Sequence, residues 1–209
     1  MAPFLAFALL VVQDSRDTYG KSNAQILAMG HDAWYKFYTG KAGDSTLGMA
    51  YAEKTYAEAL GARNEALAAK RKDRPSIRAL HKALENFYID AVEAGQIVTG
   101  GGTMWTPISN AYWVDMETTV YRTMVPGKPA PHRVNSDVTK EIALLRKAMA
   151  GSDVLPEDRK RVAPTAAKLE GDWKVVSAIA STLDRRRSDL ALEFCRSTLK
   201  DARETGEPR

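Results

Sequence analysis

The stretch Pro75-Ser76-Ile77-Arg78-Ala79-Leu80-His81-Lys82-Ala83-Leu84-Glu85-Asn86-Phe87-Tyr88-Ile89-Asp90-Ala91-Val92 carries the periodicity that decides the fold. Ile77, Leu80, Leu84, Phe87, Ala91 and Val92 recur at three- and four-residue steps and so line one face of an α-helix. An alternating strand would instead place apolar residues at every second position. Pro75 suits the first helical turn, where its missing N–H is not needed and its fixed φ is already helical. The predicted end is near Gly95.

Upstream, Ile26, Leu27, His31, Trp34, Tyr35 and Tyr38 keep the same spacing and predict a helix over 22–38, ended by the loop Thr39-Gly40-Lys41-Ala42-Gly43. Asp44 or Ser45 is placed to cap a second helix to about Lys70, with Met49, Ala52, Tyr56, Ala59, Leu60 and Leu67 on one side and a bend at Gly61. Downstream, the glycine-rich loop 99–103 breaks the chain, and Thr106-Pro107 restarts a helix with Ile108, Ala111, Tyr112, Met116, Thr119 and Val120 inward. A Pro-rich connector follows. Beyond it, Ser136 or Asp137 caps a helix to Met149, and Pro156 opens a short helical piece to Val162. Asp172 caps a long terminal helix with Trp173, Val176, Ala180, Leu183, Leu190 and Phe194 along one side. Arg187 interrupts that seam, which fits a bundle helix better than a coiled coil.

The expected fold is therefore all-α: a helical bundle, or stacked helical hairpins, of about six to seven helices. Residues 14–124 form one helical region, 125–135 the Pro-rich connector, 136–203 a second helical region packing on the first, and 204–209 a frayed tail.

Composition excludes several functions. The chain of 209 residues has 30 Lys+Arg against 26 Asp+Glu, and the runs Arg159-Lys160-Arg161 and Arg185-Arg186-Arg187 have acidic neighbours. Mixed charge of this kind marks solvated helix faces, so nucleic acid is not an expected partner. Cys195 is the single cysteine, which excludes an intramolecular disulfide, and its place beside Phe194 predicts a buried, inert thiol. His31, His81 and His132 show no metal-ligand spacing, and neither a metal nor a cofactor is expected.

The N-terminal run Pro3 to Val12 is apolar throughout and gives way to Gln13-Asp14-Ser15-Arg16-Asp17. It has the length of a signal-peptide core and is too short for the roughly 20 residues that span a bilayer. Residues 1–13 are accordingly expected to be removed on export to the periplasm or exterior, leaving no transmembrane anchor. No Lys or Arg precedes the run and no Ala-x-Ala site follows it. The competing reading is an N-terminal helix packed on the core of a cytoplasmic protein.

Aromatic residues gather after the glycine loop. Trp105, Tyr112 and Trp113, with Gly101 allowing close approach, are the candidate ligand-binding residues, offering rings for a sugar, peptide or other flat ligand. Core packing is the competing role for aromatics at helical spacing. Asp115 and Glu117 accompany them, but positions two apart on a helix diverge by about 200° and cannot form one acid/base pair alone. The sequence thus points to an exported binding or structural module with a small ligand or protein partner. The alternative is an exported enzyme acting on a cell-envelope or carbohydrate-like substrate.

Overall fold

The structure is a computed structural model that describes residues 18–43, 45–100, 105–128, 135–152 and 154–204, with only the backbone described at 105–109 and 136. The predicted signal segment 1–13, Asp44, Gly101 and His132 lie outside the described residues.

All the regular structure among the described residues is α-helical. Eight helices occupy the described residues: α1 (Asn23–Met29), α2 (His31–Ala42), α3 (Thr46–Ala68), α4 (Arg74–Thr99), α5 (Trp105–Met124), α6 (Asn135–Met149), α7 (Arg159–Thr182) and α8 (Arg185–Glu204). The count exceeds the expected range because glycine and capping chemistry divides the chain differently. Gly30, at φ 79° and ψ 164°, splits the predicted 22–38 helix into α1 and α2. Ser22 and Gln25 form a reciprocal capping box at the start of α1. The predicted loop Thr39–Gly43 is largely helical instead, since α2 runs through Gly40 and ends only at Gly43, where φ is 81°.

Ser45 caps α3, its hydroxyl accepting from the Gly48 N–H at 3.1 Å. The helix passes uninterrupted through Gly61. α4 outlasts its predicted end and stops at the left-handed Gly100. The largest departure is at the C-terminal end. Asp172 lies inside α7, which continues past Pro164, and the break falls at Leu183, whose backbone is extended. Asp184 then caps α8 by accepting from the Arg187 N–H at 3.0 Å.

Cross-helix bonds fix the packing. Asn110 Nδ2 donates to the Ala50 carbonyl and Asn64 Nδ2 to the Glu117 carbonyl, so α3 and α5 run parallel. α4 returns antiparallel along α5, with His81 beside Glu117 and Tyr88 beside Trp113. α8 runs antiparallel to α5: Arg187 reaches the Thr123 carbonyl at one end, and Tyr112 bonds Asp201 at the other. α7 lies antiparallel along α4 through Glu93 with Arg161 and Lys168. α6 closes the bundle over α7 and α8 through Arg146–Glu170 and Arg203–Glu141.

Two apolar clusters result. The larger takes Leu84 and Phe87 from α4, Met116 from α5, Leu145 from α6, Leu169 from α7 and Leu199 from α8. The smaller joins Ile26, Trp34, Tyr38, Tyr56, Leu60 and Val114. Each fully buried Leu or Phe contributes about 1.5–3 kcal/mol. Trp34 is wholly buried, and its indole N–H donates to the Ala52 carbonyl at 3.1 Å and to the Thr55 hydroxyl at 3.0 Å. Cys195 is buried in the larger cluster, and burial pushes its thiol up, away from the thiolate a nucleophile needs. No helix among the described residues is long and apolar enough to cross a membrane.

Candidate functional site

α5 is the element on which the candidate residues meet. It packs against α3, α4 and α8, so its side chains divide among several neighbours. Met116 and Val120 enter the larger cluster and Val114 the smaller, while Trp113 is half-buried against both. The Trp113 ring lies 4.8 Å from that of Tyr88, tilted by 48°. Tyr112 is half-buried and hydrogen-bonded to Asp201. Burial and the Asp201 charge raise its hydroxyl above the ordinary tyrosine range. Trp105 begins α5, and its side chain, like Gly101, lies outside the described residues.

Asp115 and Glu117 separate as the helical angle requires, and each finds a different histidine. Glu117 points inward and is only 5% exposed. Its Oε1 lies 3.1 Å from His81 Nε2, and its Oε2 accepts from Asn64 Nδ2 at 2.7 Å. A Cβ at Gly61 would come within 3.2 Å of Glu117 Oε1, so the missing side chain there admits the carboxylate between α3 and α5. His81 feels burial most, which lowers its pKa, but the Glu117 bond and charge outweigh burial and leave it raised above 6.5. This network joins α3, α4 and α5 and pairs both Glu117 oxygens, leaving Asn64 Oδ1 buried without a partner, and its role is to hold the three helices together.

Asp115 is exposed and faces the opposite way. Desolvation, then the charges of Asp201 and Glu53, push its carboxyl up, with His31 alone opposing them. His31 stands at the start of α2, immediately after Gly30. Its Nε2 is 2.7 Å from Glu53 Oε2 and its Nδ1 is 3.1 Å from Asp32 Oδ1. Tyr56 meets the imidazole edge-on at 5.3 Å, and Tyr35 lies at 6.2 Å. Burial lowers the His31 pKa, yet Glu53 and then Asp32 leave it raised. Carboxylates from α2, α3, α5 and α8 thus converge on one patch bordered by Tyr35, Tyr56 and Tyr112. Only Glu53 among the four is buried.

A patch of this composition attracts cations: carboxylates supply charge, and tyrosine faces add a favourable quadrupole. Among the described residues, no group of three or more His, Cys, Asp or Glu side chains is arranged to hold a metal ion. One described cleft, about 390 Å³ and lined by Met149, Gly151, Ser152, Arg159 and Val162, lies at the C-terminal end of α6, and its lining holds no His, Cys, Asp or Glu.

Sequence reasoning reached Tyr112 and Asp115 but missed His31, Glu53 and Asp201 as their companions. Nothing local signals that grouping, because it depends on the Gly30 break and on the direction of α8. No family model matches the chain, and no curated protein or solved structure shows significant similarity to it.

Proposed function

We propose that the chain is an exported helical binding module that takes a positively charged ligand group, an ammonium or guanidinium, at Asp115. The export half of this reading rests on the apolar run Pro3–Val12 followed by Gln13-Asp14. The binding half rests on one observation: Asp32, Glu53, Asp115 and Asp201 come from four helices to one surface, where desolvation first, and then the charges of Asp201 and Glu53, raise the Asp115 carboxyl. Such convergence lowers stability unless a cation relieves it, and perturbed groups of this kind concentrate at functional sites.

Titration calorimetry with spermidine and with a tri-arginine peptide tests the reading. Saturable binding should appear near neutral pH and disappear in Asp115→Asn. Affinity should fall as the pH is lowered, because Asp115 takes up a proton and His31 becomes positive. Binding that survives Asp115→Asn, or no binding of either probe, refutes it. The enzyme alternative draws on the same raised carboxyl, which is suited to proton donation. It requires turnover of a carbohydrate-like substrate that Asp115→Asn abolishes.

A further inference from the structure

Of the 30 basic residues, 11 that are dispersed along the sequence are gathered by the fold at one end of the bundle. Residues 63–78 hold Arg63, Lys70, Arg71, Lys72, Arg74 and Arg78, residues 121–128 hold Arg122 and Lys128, and residues 184–187 hold Arg185, Arg186 and Arg187. These segments contain 11 basic side chains against Glu65, Asp73 and Asp184, whereas the rest of the chain has 19 basic and 23 acidic ones. Direct bonds hold the three segments together. Arg71 Nη1 donates to the Met124 carbonyl at 2.6 Å, Arg186 to the Arg122 carbonyl, and Arg187 Nε to the Thr123 carbonyl at 3.0 Å. Arg187 Nη2 also lies 2.6 Å from Asp73 Oδ2, and the Arg71 and Arg187 guanidinia hold the Asp73 carboxyl down at about 2.

The cations divide by partner: Arg74 and Arg78 pair with Glu65, and Arg63 covers the Tyr121 ring. Arg71, Arg186 and Arg187 cap the end of α5, satisfying carbonyls that the helix leaves open. Lys70, Lys72, Arg122 and Lys128 are exposed and that cap explains none of them, while Arg185 is exposed with its Nε 3.7 Å from Asp189 Oδ2. Helix dipoles do not set the field here, because the C-termini of α3 and α5 meet the N-termini of α4 and α8 and cancel.

We propose that this end docks on an anionic lipid bilayer, held by charge alone. The large exposed apolar residues Tyr19, Leu47, Ile89, Leu155 and Val175 all lie outside the three segments, so docking there involves no such insertion. A nucleic acid fits less well. The Tyr121 ring is covered by the Arg63 guanidinium at 3.8 Å and offers no stacking platform, and the capping arginines are committed to carbonyls rather than presented as forks for base edges. Exposed lysines suit a diffuse headgroup layer, where each cation near the surface strengthens binding about fivefold. Asp115 lies about two helical turns from the basic end of α5, leaving the acidic patch clear of the bilayer.

The test is co-sedimentation of the full chain with vesicles of phosphatidylcholine alone or with about 30% phosphatidylglycerol, at about 50 and about 500 mM NaCl. The expected result is binding to the anionic vesicles that is released by salt. Combined Lys70→Glu, Lys72→Glu and Lys128→Glu should weaken partitioning by about 100-fold or more. Lys36→Glu, Lys41→Glu and Lys174→Glu, exposed residues elsewhere with the same change in net charge, should weaken it less than about tenfold. Circular dichroism checks the fold of both variants, and Gln replaces Glu where either unfolds. Equal binding to neutral vesicles, equal sensitivity of the two variants, or tighter binding to a duplex DNA of about 20 base pairs overturns the proposal.

Discussion

Glu117 and Gly61 give the sharpest test of how the bundle is joined. Glu117→Ala removes the acceptor that His81 Nε2 meets at 3.1 Å and Asn64 Nδ2 meets at 2.7 Å, although the Asn64 amide keeps its second bond, to the backbone carbonyl of residue 117. A buried donor stranded in this way costs about 1–3 kcal/mol, and His81 retains some solvent contact. The total should be about 3 kcal/mol, lowering the thermal midpoint by about 6–12 °C for a chain of this size. Gly61→Ala alone should give no gain: a helical Ala is favoured over Gly by about 0.5–1 kcal/mol, but its Cβ would crowd Glu117 Oε1 at 3.2 Å. In the Glu117→Ala background the crowding is gone and the full gain should appear. The coupling is therefore about 1 kcal/mol, measured by urea unfolding of the four proteins. Additive effects, or a Glu117→Ala cost below about 1 kcal/mol, would refute the network. Its pH dependence has a definite sign. The folded pKa of His81 lies above 6.5, so its stabilisation is complete below that value and is lost as pH rises through the folded pKa. Glu117→Gln should flatten that loss.

Asp90 on α4 is hydrogen-bonded to Asp172 on α7, and burial followed by that neighbour raises its pKa to about 7, with Lys168 opposing and Glu93 assisting. Stability linked to it is present at low pH and is lost as pH rises toward about 7. Asp90→Asn should therefore stabilise the protein at pH about 8 by on the order of 1–2 kcal/mol after discounting for solvent screening, and equal midpoints there would count against the shared proton. Trp34→Ala should cost about 3–5 kcal/mol, because it empties a fully buried site and removes the indole bonds to Thr55 and Ala52; a midpoint within a few degrees of wild type would contradict that burial. N-terminal sequencing of the protein from its native host should find a mature start near residue 14, and intact Met1 or Ala2 would reject export.

Helical periodicity was legible wherever a helix buries one continuous face. The residues 77–92 predict α4 because Ile77, Leu80, Leu84 and Phe87 all enter the same cluster. Boundaries were less legible where two signals compete. Gly30 and Gly40 are the same residue type in similar surroundings, yet Gly30 takes a positive φ and ends α1 while Gly40 stays helical. Only the first lies where the chain must turn to lay Trp34 against Ala52 and Thr55. Asp172 and Asp184 pose the same problem, since either could cap a helix. Packing of Leu169, Trp173 and Val176 into one cluster keeps α7 continuous through Asp172, and the cap falls to Asp184.

The candidate patch was less legible still, for a geometric reason. Its members are separated by 22 residues between His31 and Glu53 and by far more between Asp115 and Asp201, so no window of sequence contains them. The α5 signal contained the information that Asp115 and Glu117 must part, and the angle between them predicts two environments rather than one. It could not say which would be buried. Gly61 bears on that question, because a Cβ opposite α5 would come within 3.2 Å of Glu117 Oε1 and crowd the carboxylate inside. With Glu117 turned inward toward His81, Asp115 is turned outward toward Asp201, Glu53 and His31. A glycine that reads in sequence as a helix bend thus leaves room for one carboxylate in the framework, while the other lies at the surface where a cationic partner can reach it.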